Sequence, residues 1–142
     1  MKTASQIQGD IYQLLATDPV LCSMISGKVY RDGYRPRDSR LEDIIVIFTA
    51  GTVGQIETGV ITVNIFAPDI DPYNNGVLVQ DGKRTAELEK AAARWVESLT
   101  ADRTNYHFRL QQTIYTEAET DIKQHFVVVQ LRYRYYGGNS AD

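Results

Sequence analysis

"HFVVVQLRYRYYGG", residues 125–138, carries two interleaved rows of side chains. Successive residues of a β-strand point to opposite faces. Val127, Val129, Leu131, Tyr133 and Tyr135 therefore share one face, and Phe126, Val128, Gln130, Arg132 and Arg134 share the other. The first row reads as a core face. The second starts apolar and ends in two arginines, a composition that suits nucleic acid, a partner subunit or plain solvent.

Working outward, residues 105–124 alternate in the same manner and meet a polar turn at Glu117 to Asp121, which predicts a long closing hairpin with His107 opposite about Gln130. "DIIVIFTAG" (43–51) and "TGVITVNIF" (58–66) are rich in β-branched residues, and the two glycines between them suit a hairpin turn. Helical spacing appears twice at length. Ile7, Ile11, Leu14 and Leu15 line one side of residues 3–17, and Leu88, Ala91, Ala92, Trp95, Val96 and Leu99 line one side of 84–100. Asp18-Pro19 starts a short helix with Val20, Leu21, Met24 and Ile25 on its stripe, and Gly27 ends it. Val29 and Tyr30 give a short strand signal before an arginine-rich loop. A connection at 67–84, with two prolines, Asn-Asn-Gly and Asp-Gly, is long enough to imply a role of its own.

This order lacks a βαβ series. It predicts an α+β fold: a two-layer sandwich whose mostly antiparallel sheet of four to five strands carries two main helices on one face. The expected core joins the helical stripes to Ile45 or Val46, Ile61, Val63, Ile65, Phe108, Leu110, Ile114, Val127, Val129, Leu131 and Tyr133. One domain is expected over residues 1–136, followed by a loose tail at 137–142.

Composition narrows the classes. The 142 residues are 43% hydrophobic and 23% charged, with no apolar run near the roughly 20 residues that span a bilayer and no signal-peptide pattern, so a protein folding in the cytoplasm with no membrane contact is expected. A single cysteine, Cys22, excludes an internal disulfide, and it reads as a small buried hydrophobe. The net charge of −3 removes general attraction to polyanions, leaving only a locally concentrated basic face.

Catalytic signatures are weak. His107 and His125 lack metal-binding spacing, and no cofactor motif occurs. Asp69 and Asp71 begin a calcium-loop pattern that fails at Tyr73 and has no acidic twelfth position. Basic residues are more informative. Lys28, Arg31, Arg35, Arg37 and Arg40 interleave with Tyr30 and Tyr34, while Arg109, Arg132 and Arg134 are placed to share a sheet face. Tyrosine with arginine suits a protein interface or a nucleic-acid groove; Asp32, Asp38, Glu42 and Asp43 beside the loop arginines favour solvent or a protein partner.

The segment "IQGDIYQLLATDPVLCSMISGKVYRDGYRP" (7–36), with its helix, Leu-x-x-Asp-Pro break, helical turn and Gly-Lys-Val-Tyr strand, resembles the tail-completion, or tail-terminator, proteins of long-tailed bacteriophages. "VITVNIFAP" (60–68), "AELEKAAARWVESL" (86–99) and the closing hairpin at 108–135 follow the same order, so the resemblance spans about four fifths of the chain. It departs at the 67–83 insert and at the arginine-rich loop. The resemblance implies a non-enzymatic virion protein without cofactors, forming a ring, typically a hexamer, at the head–tail junction. Its partners would be copies of itself, the tail-tube protein and a head-closure or connector protein, with DNA met only in passage. On that reading Tyr30, Arg31, Tyr34, Arg35, Arg37, Arg109, Gln130, Arg132 and Arg134 are the candidate interface, extended over the sheet by Thr62, Asn64 and Gln111. The alternatives are a neck or head-closure protein of the same joint, and a small ligand-binding or enzymatic domain with a pocket at Asp69, Asp71, Tyr73 and His107.

Overall fold

The computed structural model describes residues 1–99 and 105–136. The expected tail at 137–142 lies outside the described residues. Three α-helices form: α1 (Ala4–Ala16), α2 (Pro19–Met24) and α3 (Gly82–Ser98). Each starts on a side-chain cap that satisfies a backbone amide left without a helical partner. Thr3 and Gln6 exchange the two bonds of a capping box, the Asp18 carboxylate accepts from the Leu21 amide, and Asp81 accepts from Arg84. The Asp81 cap starts α3 two residues before the position expected from its apolar stripe.

Six strands form one mixed sheet: β1 (Val29–Arg31), β2 (Ile44–Thr52), β3 (Glu57–Pro68), β4 (Tyr106–Leu110), β5 (Tyr115–Glu119) and β6 (Gln124–Tyr135). The spatial order is β1-β2-β3-β6-β4, and β5 also pairs with β6. Only β1 runs parallel to its neighbour. The α+β architecture is as expected, and the sheet is larger. The first arm of the closing hairpin divides in two: had the β4 register continued, Tyr115 would face Phe126, and it faces Val128 instead. The turn is a 3-10 turn at Thr120–Ile122 closed by Lys123 in the left-handed region (φ 55°). His107 consequently lies opposite Arg134, not Gln130.

The helices cover one face. Ile7, Ile11 and Leu15 of α1, Leu21 of α2, and Leu88, Ala92 and Trp95 of α3 join Ile44, Val46, Ile61, Val63, Ile65, Val127, Val129, Leu131 and Tyr133 in a single core. Each such large side chain contributes roughly 1.5–3 kcal/mol by leaving water. Of the alternatives at β2, Val46 is buried and Ile45 faces the other way. Leu110 is 38% exposed because the chain leaves the β4 register there, Ile114 is only partly buried, and Val20 of α2 is exposed. Cys22 is exposed too, on the outer side of α2; slight burial and then Asp18 push its thiol pKa up.

Candidate interaction surface

The second row of β6 lies on the sheet face away from the helices. Across it, Asn64 faces Val128, Thr62 faces Gln130, Val60 faces Arg132 and Thr58 faces Arg134. On the β4 side, Arg109 faces Arg132 and His107 faces Arg134; on the β2 side, Ile45 and Ile47 extend the rows of Asn64 and Thr62. Polarity therefore changes along the strands, from Phe66, Phe126 and Val128 at one end to a block of cationic residues at the other. Asn64 adds an anomaly: its Oδ1 is buried without a hydrogen-bond partner. Such an acceptor ordinarily has one.

The apolar end is partly closed by the loop after β1. Arg35 crosses it with its guanidinium 4.1 Å from the Phe66 ring centroid. Its Nε donates to Asp43 Oδ2 at 2.8 Å, and its Nη2 donates to Gln124 Oε1 at 2.9 Å and to the Leu41 carbonyl at 3.1 Å. The side chains of Arg35 and Asp43 are only 7% and 1% exposed. Asp43 also accepts from the Ser39 hydroxyl and, through Oδ1, from the Lys28 amide at 2.9 Å. Gly27 makes room for this carboxylate, since a Cβ there would overlap Asp43 Oδ1 and crowd the Glu42 carbonyl.

The loop arginines thus mostly serve the fold. Arg31 donates from Nε to Gln8 Oε1 at 3.0 Å and from Nη2 to the Ser5 carbonyl, tying β1 to α1. Arg40 donates to the Ile122 carbonyl at 2.9 Å, bracing the loop against the 3-10 turn. Tyr30 is half-buried, while Tyr34 and Arg37 face solvent. Of the candidate residues, Arg109, Gln130, Arg132 and Arg134 are brought together on the open face; Arg35 is buried at its far end, and Arg31 points to the helical side.

The basic end forms a shallow cleft of about 250 Å³ lined by Thr58, His107, Arg109, Arg132 and Arg134. Arg132 Nε donates to Gln111 Oε1 at 2.9 Å. No carboxylate among the described residues pairs with Arg109, Arg132 or Arg134. Like charges directly opposite one another on a sheet are unfavourable by roughly 0.2–1 kcal/mol.

The residues of the enzymatic alternative are dispersed. Asp69 Oδ1 lies 2.6 Å from His125 Nδ1, at the Gln124 end of β6, whereas His107 is at the Arg134 end, about 30 Å away at 3.4 Å per residue. Asp71 accepts from the Asn75 and Gly76 amides, shaping the insert, and Tyr73 is 77% exposed. The insert is ordered by paired bonds between Ile70 and Val79 at 2.8 Å and presents Ile70, Tyr73, Val77 and Val79 to solvent. No group of three or more potential metal ligands occurs among the described residues.

Two buried features at the helical side gave no sequence signal. The Tyr106 hydroxyl donates to Asp10 Oδ2 at 2.6 Å, and burial, reinforced by that bond, drives its pKa far above the usual tyrosine value. Glu57 is buried; its Oε1 accepts from the Lys2 amide at 2.9 Å and its Oε2 has no hydrogen-bond partner. Burial and then Glu57 raise the Tyr133 pKa.

No family model and no curated protein matches the chain. Several solved structures match, one of them with a TM-score of 0.51 and 16% identity over 95% of this chain and 96% of its own length. At that identity the likeness shows a shared fold across almost the whole chain.

Proposed function

We propose that this chain is a structural virion protein, a tail-terminator or tail-completion subunit that forms a ring at the head–tail junction of a long-tailed phage or prophage. The resemblance of residues 7–36, 60–68, 86–99 and 108–135 to that family supports the reading. The structural observation that carries it is the open sheet face, which no helix among the described residues covers and which holds Ile45, Ile47, Val60 and the unpartnered Asn64 Oδ1. A ring requires heterologous contacts, in which two different patches of each subunit fit one another. The open face is one patch. The projecting insert, with Tyr73 and Val77 at its exposed tip, is the other.

The test uses two variants, Ile47→Asp with Val60→Asp on the face and Tyr73→Ser with Val77→Asp on the insert. Sedimentation velocity and electron microscopy, with and without the tail-tube protein, should show closed rings for the wild type and monomers for each variant alone. Mixing the variants should give dimers, because one intact face meets one intact insert. A wild type that stays monomeric even on tail tubes, or variants that still close rings, would refute the assignment.

A further inference from the structure

We infer that the cleft formed by Thr58, His107, Arg109, Arg132 and Arg134 is a binding site for a phosphate oxyanion. The proposal stands whether or not the subunit forms a ring. The strand register makes the case. Three neighbouring strands, β3, β6 and β4, place the guanidinium groups of Arg109 and Arg132 in one row and Arg134 beside His107 and Thr58 in the next. Adjacent strands lie roughly 4.8 Å apart, so these cationic side chains stand as close neighbours on one concave patch.

Four other arginines are held by internal acceptors, while Arg37 and Arg94 face solvent singly. Arg35 pairs with Asp43, Arg84 with Glu42, Arg31 with Gln8 and Arg40 with the Ile122 carbonyl. At the cleft, the only hydrogen bond made by one of these three guanidinium groups to a described residue is that of Arg132 Nε to Gln111, which orients one guanidinium and leaves its Nη groups directed elsewhere. Clustering without compensation, in a chain of net charge −3, makes this patch a favourable place for a counter-charge from outside.

The chemistry selects the anion. A carboxylate, with one charge and two oxygens, is satisfied by a single guanidinium fork; three arginines and a histidine match the higher charge and additional oxygens of a phosphate. No phenylalanine, tyrosine or tryptophan lines the cleft, so its charged groups favour recognition of the phosphate over stacking on a base. The phosphate has two possible sources, a nucleic-acid backbone or a free phosphate compound.

The experiment follows the arginine side-chain Nε–Hε resonances of the full chain during titration with inorganic phosphate and pyrophosphate, with ionic strength held constant by chloride. A parallel arm measures anisotropy of a labelled DNA duplex across salt concentrations. Saturable shifts confined to Arg109, Arg132 and Arg134 are expected, and Arg109→Gln with Arg132→Gln should weaken binding by about tenfold or more. Arg37→Gln with Arg94→Gln removes the same charge elsewhere and should leave binding unchanged. Duplex binding displaced by phosphate, with a salt slope that falls by about 0.9 for each arginine removed, identifies a nucleic-acid backbone. Phosphate binding without duplex binding identifies a free compound. Absence of saturable shifts, equal loss in the control variant, or tighter binding of polyglutamate than of phosphate and duplex would overturn the proposal, the last in favour of an acidic protein partner. Thermal midpoints no lower than that of the wild type confirm that the variants report on binding.

Discussion

Replacing Asp43 by Ala would test whether the arginine-rich loop is part of the fold or a free arm. The substitution removes the carboxylate that accepts from Arg35 Nε, the Ser39 hydroxyl and the Lys28 amide. Arg35 would keep Gln124 and the Leu41 carbonyl but lose its only counter-charge in a site where 7% of its side chain meets solvent. Leaving one member of a buried ion pair unpaired costs about 3–5 kcal/mol. For a chain of this size that corresponds to a fall in thermal midpoint of about 10–17 °C. Arg35→Met should cost less, because Asp43 retains its other two donors and methionine can still cover Phe66. Urea denaturation of both single variants and of Arg35→Met with Asp43→Leu measures the coupling, which should make the double variant less destabilised than the sum of the singles. A loss below about 1 kcal/mol in Asp43→Ala, at unchanged slope, would show that this pair does not hold the loop.

Gly27→Ala should destabilise by about 1–3 kcal/mol in the same assay, since the added Cβ displaces the Asp43 carboxylate. Arg132→Glu reverses one member of the Arg109–Arg132 pair and should raise stability by about 0.2–1 kcal/mol while abolishing phosphate-induced shifts. At alkaline pH the Tyr106 and Tyr133 hydroxyls keep their protons after the unfolded chain, with tyrosines near 10, has lost them. Their contribution is complete below pH about 10 and disappears as pH rises through the raised folded values, so denaturation midpoints should fall above that pH, and less steeply in Tyr106→Phe.

Periodicity made much of the fold legible. The alternation at 125–135 and 58–66 placed the core faces, and the spacing of Leu88, Ala91, Ala92, Trp95 and Val96 placed α3. What periodicity does not encode was missed. The division of β4 from β5 depends on a two-residue change of register, which leaves alternation intact on both sides. The parallel pairing of β1 with β2 depends on a loop that crosses to the open face. The shared face of Arg109, Arg132 and Arg134 is legible because odd and even positions are fixed by the pleat. The burial of Arg35 is not legible for the opposite reason: its partners Gln124 and Phe66 are remote in sequence, although Asp43, Ser39 and Gly27 lie close enough to hint at a buried carboxylate.

Charge distribution gives the open face a direction. At the Gln124 end of β6, Arg37 and Arg40 are interspersed with Asp38 and Asp121, and Arg35 is neutralised by Asp43. At the Tyr135 end, about 37 Å away along the strand, Arg109, Arg132 and Arg134 have no such partners. In a ring of the proposed kind, cyclic symmetry places every subunit in the same orientation relative to the axis, so the uncompensated charge gathers at one level of the assembly. A polyanion long enough to span neighbouring clefts would engage several subunits, and affinity that is modest for one cleft would rise with the number engaged. Assembly and polyanion binding should therefore strengthen one another when measured on closed rings, whereas inorganic phosphate, for which each cleft is complete within a single chain, should bind ring and monomer alike.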